Sequence, residues 1–226
     1  MTRFLLLIAA AAAALRADSL EEILKRMDTS AKTFQSFSAK LKQLEYTDVL
    51  HDSSESNGEI RVKRGKSGKS GMTALVIFNS PDAKMMHFAG KSAEIFYPKT
   101  KIEEIYDVGK YQGAIDRWIA LGFGTSGAEL RRDYEIKYGG PQTVGSARAT
   151  LLELTPKSDE VKKLATRVDL WIENGKSYPL QFKALKPGSK DYLMFVYSDV
   201  KINPSLSNSD FEMKVPADVR KIHPSK

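Results

Sequence analysis

Apolar residues recur at Leu20, Ile23, Leu24, Met27, Ala31 and Phe34, the i, i+3, i+4, i+7 spacing of one helical face. Glu21, Lys25, Asp28 and Lys32 fall on the opposite face, and Ser19 with Glu22 is a capping-box signature at the start. This predicts a helix lying on an apolar surface. After it the period becomes two. Phe37, Ala39 and Leu41 alternate, then Leu44 and Tyr46 carry on with the other parity, which predicts a bulge. Ile60, Val62 and Arg64 share one face of the next strand, and Ala74, Val76 and Phe78 one face of the third. Short strands are predicted near 84–89, 93–97 and 102–108. Further strands are predicted at Tyr134–Tyr138, Thr150–Leu154, Arg167–Glu173, Tyr178–Ala184, Tyr192–Asp199 and Phe211–Val215. Eleven or twelve closely spaced strands imply one large antiparallel sheet or barrel.

Turn chemistry separates these runs. Asn174-Gly175 is a two-residue hairpin signal, and Gly139-Gly140-Pro141 and Pro187-Gly188 predict further turns. One helical segment interrupts the sheet pattern: Ile115, Trp118 and Ile119 share a face over about Gln112–Leu121. It runs into Gly122-Phe-Gly-Thr-Ser-Gly127, which reads as a hinge-like tether, and a second short helix is predicted at Ala128–Arg132. Several strands are apolar on both faces, with Leu75 and Ile77 opposing Ala74, Val76 and Phe78. So few helices cannot cover a flat sheet of that kind. A curved sheet wrapped around a helix or a hydrophobic ligand solves the problem, and so does a fully packed barrel; the pattern admits both.

Composition narrows the setting. Arg3 followed by the apolar run Phe4–Ala14 has the form of an export leader, with cleavage after Ala14 or Ala17, and the run is too short to span a bilayer. Residues 18–226 are then expected as one exported, periplasmic domain. With no cysteine there is no thiol chemistry, no disulfide and no site for a lipid anchor, so the chain is not expected to be a lipoprotein itself. The formal charge is +7, or +5 without Arg3 and Arg16. A solvated basic surface explains this most simply; attraction to anionic headgroups or an acidic partner is the functional reading, and nucleic acid is not expected.

Candidate chemistry is sparse. Gly68-Lys69-Ser70 suggests a phosphate loop, but Lys63 stands where its first glycine belongs and a β-rich run, not a helix, follows. His51, His87 and His223 are scattered, with no metal-ligand spacing. There is no Gly-x-Ser-x-Gly elbow. Adjacent carboxylates such as Glu103-Glu104 and Asp159-Glu160 would face opposite sides of a strand. Neither an enzyme nor a cofactor is expected.

The order and spacing of several blocks, namely "TFQSFSAKLKQ", "NGEIRVKRG", "NSPDAKMMHFAGKSAEIFYPKTKIEEIY", "ATLLELTPK", "VDLWIENGKSYPLQF" and "FVYSDVKINPSLSNSDFEMKVPADV", resemble the periplasmic carriers that take lipoproteins to the bacterial outer membrane (LolA-like). The pattern departs at Gly65, where a proline commonly follows the arginine, and in the Gly/Lys/Ser insert behind it. The resemblance implies an unclosed antiparallel β-barrel of about eleven strands, with a helical lid over an apolar cavity. Ile60, Val62, Ala74, Val76, Phe78, Leu180 and Phe182 would line the cavity, and Ile115, Trp118, Ile119 and Phe123 would form the lid. Such carriers act as monomers. They take lipoprotein acyl chains from an inner-membrane ATP-driven complex and hand them to an outer-membrane acceptor. In them the arginine of the "KR" segment, here Arg64, hydrogen-bonds the lid and holds the empty state shut. Strand parity places Arg64 on the apolar side with Ile60 and Val62, where a guanidinium would seek backbone carbonyls such as those of Trp118–Gly124, or else would snorkel to water. A carrier of another lipid or a glycolipid is the alternative. Envelope sensors of similar fold have a second domain and an anchor, for which no room is expected here.

Overall fold

The computed structural model describes residues 17–65 and 71–224. Residues 1–16 of the leader expected at 1–17, and the Gly68-Lys69-Ser70 segment, lie outside them. The chain runs α1 (Leu20–Thr33), β1 (Ser36–Thr47), β2 (Asp52–Arg64), β3 (Met72–Ser80), β4 (Lys84–Ala89), β5 (Ser92–Tyr97), β6 (Ile102–Asp107), α2 (Gln112–Ala120) and α3 (Gly127–Asp133). Then follow β7 (Tyr134–Val144), β8 (Ala147–Pro156), α4 (Asp159–Lys162), β9 (Arg167–Glu173), β10 (Pro179–Leu185), β11 (Tyr192–Ile202) and β12 (Arg220–Ile222).

All twelve strands join one sheet in the order β12-β6-β5-β4-β3-β2-β1-β11-β10-β9-β8-β7. Hairpin neighbours pair antiparallel, and β1 closes on β11 across the middle; β12 pairs parallel to β6. The outer strands β12 and β7 do not meet, so the barrel is unclosed.

Helix α1 forms as the pattern predicts. Ser19 Oγ accepts from the Glu22 N–H and Glu22 Oε2 accepts from the Ser19 N–H, the reciprocal capping box. Its Ile23, Leu24 and Met27 are buried against Leu152, Leu154, Val168, Leu170, Ile172 and Phe182 of β8–β10. Helix α3 lies beside it: Asp28 accepts from the Ala128 N–H at 3.0 Å, and Arg131 pairs with Glu21. Gly127 permits this approach, since a methyl there would lie 2.6 Å from the Leu24 carbonyl oxygen.

Four expectations need correction. The parity change in β1 is not a bulge: β1 pairs with β2 without a break from Ser36 to Thr47. Leu44 and Tyr46 simply turn to the other face, where Tyr46 stacks on Tyr192 at 5.0 Å. The extra residue sits instead in β11, opposite Ser38 and Lys40, where Asp199 takes φ +51°. Gly139-Gly140-Pro141 is not a turn; β7 bulges there, with Gly140 at φ +83°, and continues pairing to Val144. A proline is tolerated because β7 is an edge strand. Phe211–Val215 is not a strand. It belongs to an irregular strap across the convex face, pinned by buried Phe211, by Arg61 donating to the Asp210 carbonyl, and by Lys63 donating to Asn208. Asp159 and Glu160 lie on the short helix α4, where Ser158 caps the Val161 N–H.

Gly127→Ala is expected to destabilise the fold by about 1–3 kcal/mol, because a rigid backbone oxygen must move. Urea unfolding midpoints of the two proteins measure this.

Candidate functional site: a plugged trough and its fastenings

The concave face is assembled by register. Val62 pairs Ala74, which pairs Phe88; Ile60 pairs Val76, which pairs Met86. Phe182 on β10 lies between Leu170 and Phe195, so it shares this face. Leu180 does not line up with it. A bulge between Pro179 and Gln181 breaks the alternation, and Pro179 takes the inward position, packed on Gly122. Of the seven residues read as cavity lining, Val62, Ala74, Phe78 and Phe182 are buried, and Ile60, Val76 and Leu180 are half-buried.

What covers the trough is the segment after β6. Helix α2 sits shallowly: Ile115, Trp118 and Ile119 are half-buried, and only Ala120 at its end is buried. The loop that follows is the deep part. Leu121 and Phe123 are buried, and the Phe123 ring stacks on Phe37 at 4.0 Å and meets Tyr197 edge-on at 4.9 Å. Trp118 meets Phe182 edge-on at 5.3 Å. Thus Phe123 and Ala120 join Phe37, Val62 and Ala74 in one apolar cluster, while Leu121 and Trp118 join the α1 cluster. The hollow that the pattern admits is filled by the protein's own side chains. The cavity beside this segment, lined by Arg64, Met72, Asp116, Ala120, Leu121 and Tyr134 among others, measures about 140 Å³. Ligand sites usually span about 300–1,000 Å³. This cavity is too small to be such a site.

The glycine tether is built for close packing rather than slack. Gly122 takes φ +86°, and its Cα lies where a methyl would strike Pro179.

Two polar ties fasten the segment to the sheet. Arg64, the last residue of β2, donates from its Nη2 to the Gly124 carbonyl at 3.0 Å and from Nη1 to the Ala31 carbonyl of α1 at 3.3 Å. Its guanidinium also stands over the Phe34 ring, 5.3 Å from the centroid. Arg64 is not buried as parity suggested: it sits at the rim, exposed overall, and joins sheet, α1 and loop from there. The second tie was not seen in the sequence. Asp116 on α2 accepts the Met72 N–H at 3.0 Å, at the first residue of β3. Gly71 leaves room for that carboxylate, since a methyl there would overlap it. A lone aspartate on a short amphipathic helix, with its partner a backbone amide across a poorly patterned Gly/Lys/Ser insert, gives no periodic signal. Burial pushes the Asp116 carboxyl above the usual carboxylate range, against the opposing pull of the Met72 N–H and of Arg117.

The other carboxylates separate as strand parity dictates. Glu103 faces the convex strap, buried against Lys221 at 3.0 Å. Glu104 faces the trough and accepts from Tyr106 at 2.8 Å and Tyr97 at 3.4 Å. Among the described residues no group of three or more could hold a metal ion, and no helix is long and apolar enough to cross a membrane.

No family model and no curated protein sequence matches this chain. Solved structures do. An uncharacterised conserved protein from Thermus thermophilus aligns over 92% of this chain and 100% of its own at 13% identity, with TM-score 0.53. MucB aligns over 89% at 13% identity with TM-score 0.52, and this chain spans 64% of MucB. A LolA superfamily protein from Nitrosomonas europaea aligns over 87% of this chain and 99% of its own at 13% identity, with TM-score 0.40. This chain shares its fold with the Thermus protein and with MucB. At such identities the likeness is one of fold: an unclosed sheet wrapped around helices.

Asp116 offers a direct test of the plug. Its raised pKa in the seated state means that ionisation opposes seating, so acid favours the plugged form and rising pH through the carboxylate range loosens it. Asp116→Asn keeps an acceptor for the Met72 amide and removes the charge, so it should abolish that pH dependence. Asp116→Ala should speed hydrogen exchange of the Met72 amide about five- to tenfold, the loss of one hydrogen bond.

Proposed function

We propose that the protein is a periplasmic carrier of acyl chains, most simply the acyl chains of lipoproteins, which it holds against the concave face of the sheet. One observation carries the reading. The apolar trough is covered by a short loop and a shallow helix rather than by a second sheet, and that cover is fastened by the Arg64–Gly124 and Asp116–Met72 hydrogen bonds. A permanent core does not need a removable cover. Moving Phe123, Leu121 and Trp118 out would expose Phe37, Val62, Ala74 and Phe182, a surface on which a fatty chain replaces the departing rings.

The energetics supports a carrier with a self-filling site. Burying one methylene is worth about 0.8 kcal/mol, so two or three long chains crossing water bare would cost on the order of tens of kcal/mol. The plug's own side chains compete for the same surface. Each contributes about 1.5–3 kcal/mol of burial that returns when cargo leaves. Net affinity is the difference, which lets cargo depart without an energy source. In this reading Arg64 is the lid latch, and Ile115, Trp118, Ile119 and Phe123 are the moving part. A donor at the inner membrane loads the chain and an acceptor at the outer membrane unloads it. The leader at 1–17 accounts for export.

Mass spectrometry of material co-purifying from the envelope is expected to find diacyl or triacyl lipoproteins; a different amphiphile would redirect the reading to another lipid cargo, and no bound amphiphile would sink it. Trp118 emission should change on addition of a synthetic lipopeptide, and should not if the plug is permanent core. Arg64→Leu removes ties to Gly124 and Ala31 at a solvent-exposed rim, worth about 1 kcal/mol, so cargo should be held about five- to tenfold more tightly and released more slowly.

A further inference from the structure

Among the described residues, the most exposed large apolar side chains form a pair far from the trough. Val49 and Leu50 are 87% and 70% exposed, side by side in the single 3-10 turn Asp48–Leu50 that joins β1 to β2. His51, at φ 48°, closes the turn in the left-handed region, its N–H donating to the Asp48 carbonyl. This turn tips a finger. Strand β3 pairs with β2 only from Asn57 to Arg64, so residues 52–56 pair with β1 alone. At about 3.3 Å per residue the hairpin runs roughly 16 Å past the end of β3. On its other flank stands the β10–β11 turn, whose Asp191 accepts the Asp48 N–H at 2.8 Å and so braces the tip.

The surroundings select the partner. A protein interface needs about 1,200–2,000 Å² of matched surface. Two aliphatic side chains followed by Asp52, Ser53, Ser54 and Glu55, all exposed, do not provide it. A bilayer asks for no matching shape. Behind the tip, Tyr46 and Tyr192 stack at 5.0 Å, and Lys183 stands over the Tyr192 ring at 4.0 Å. That arrangement of tyrosines and a lysine suits the headgroup layer just above an inserted apolar tip. This end carries three lysines, Lys183, Lys186 and Lys190, beside four carboxylates, Glu45, Asp48, Asp52 and Asp191, and Lys186 is paired with Glu45 at 2.6 Å. There is no basic patch to demand anionic lipid.

We propose that the β1–β2 finger inserts Val49 and Leu50 into the surface of a lipid bilayer, independently of headgroup charge, and that it docks the protein transiently on membranes. The acyl-chain reading of the trough is not needed for this. Flotation of the purified protein with phosphatidylcholine vesicles tests it. Binding should appear at millimolar lipid, should match that to vesicles containing phosphatidylglycerol, and should persist when salt is raised. Val49→Ser/Leu50→Ser should lower the partition coefficient about a hundredfold while leaving thermal stability and the Trp118 response to lipopeptide unchanged. In Leu50→Trp, brominated acyl chains should quench the new emission. The proposal is overturned if the parent ignores vesicles, if the double serine variant floats like the parent, if brominated chains do not quench Trp at 50, or if binding needs anionic lipid or vanishes with salt. Retention of the tip by a protein rather than by vesicles overturns it as well.

Discussion

An open sheet that is apolar on its concave face must have something lying in the trough, and everything else in this protein follows from what that something is. Helix α1 covers the β8–β10 half permanently, with Ile23, Leu24 and Met27 buried. The β1–β3 half is covered by the loop after α2, through Ala120 and Phe123, whose ring lies against Phe37. An aromatic pair of this kind is worth about 0.5–1.5 kcal/mol beyond its area. That is enough to hold a loop in place.

The fastenings are distributed according to how far each part can move. Helix α3 is fixed to α1 by Leu130 in the core, by Asp28 at its first turn and by the contact at Gly127. Helix α2 has a shallow apolar face and the Asp116–Met72 bond. Between them Arg64 holds the Gly124 carbonyl from the rim. The segment is thus anchored by buried contacts at its α3 end and by hydrogen bonds near the rim elsewhere.

Strand β1 connects the two ends of the molecule. Phe37, near its start, stacks on the plug; Tyr46, near its end, stacks on Tyr192 beneath the finger. These places lie about 30 Å apart along the strand. The trough and the exposed tip are thus separate surfaces on one rigid element, which allows contact with a surrounding phase without disturbing the buried rings.

The sequence by itself determined most of the secondary structure and the parity of its main strands. Helix α1 with its capping box, the strand face shared by Ile60, Val62 and Ala74, and the opposed directions of Glu103 and Glu104 were all legible, because period, caps and alternation are local properties of the chain; Asn174-Gly175 does turn the chain, but in a five-residue connection, 174–178, rather than a two-residue hairpin. Local pattern misled where an edge or a bulge changed the rule: Gly140-Pro141 stays in β7 since an edge strand tolerates it, and Leu180 loses its inward place because Pro179 takes it. Only the tertiary structure decided that the trough is filled, that the glycine loop is buried packing and not slack, that Arg64 stops at the rim, and that Asp116 reaches Met72. Those depend on which surfaces meet across forty or more residues of chain, and no spacing along the sequence encodes how deep a loop sinks between two sheet halves.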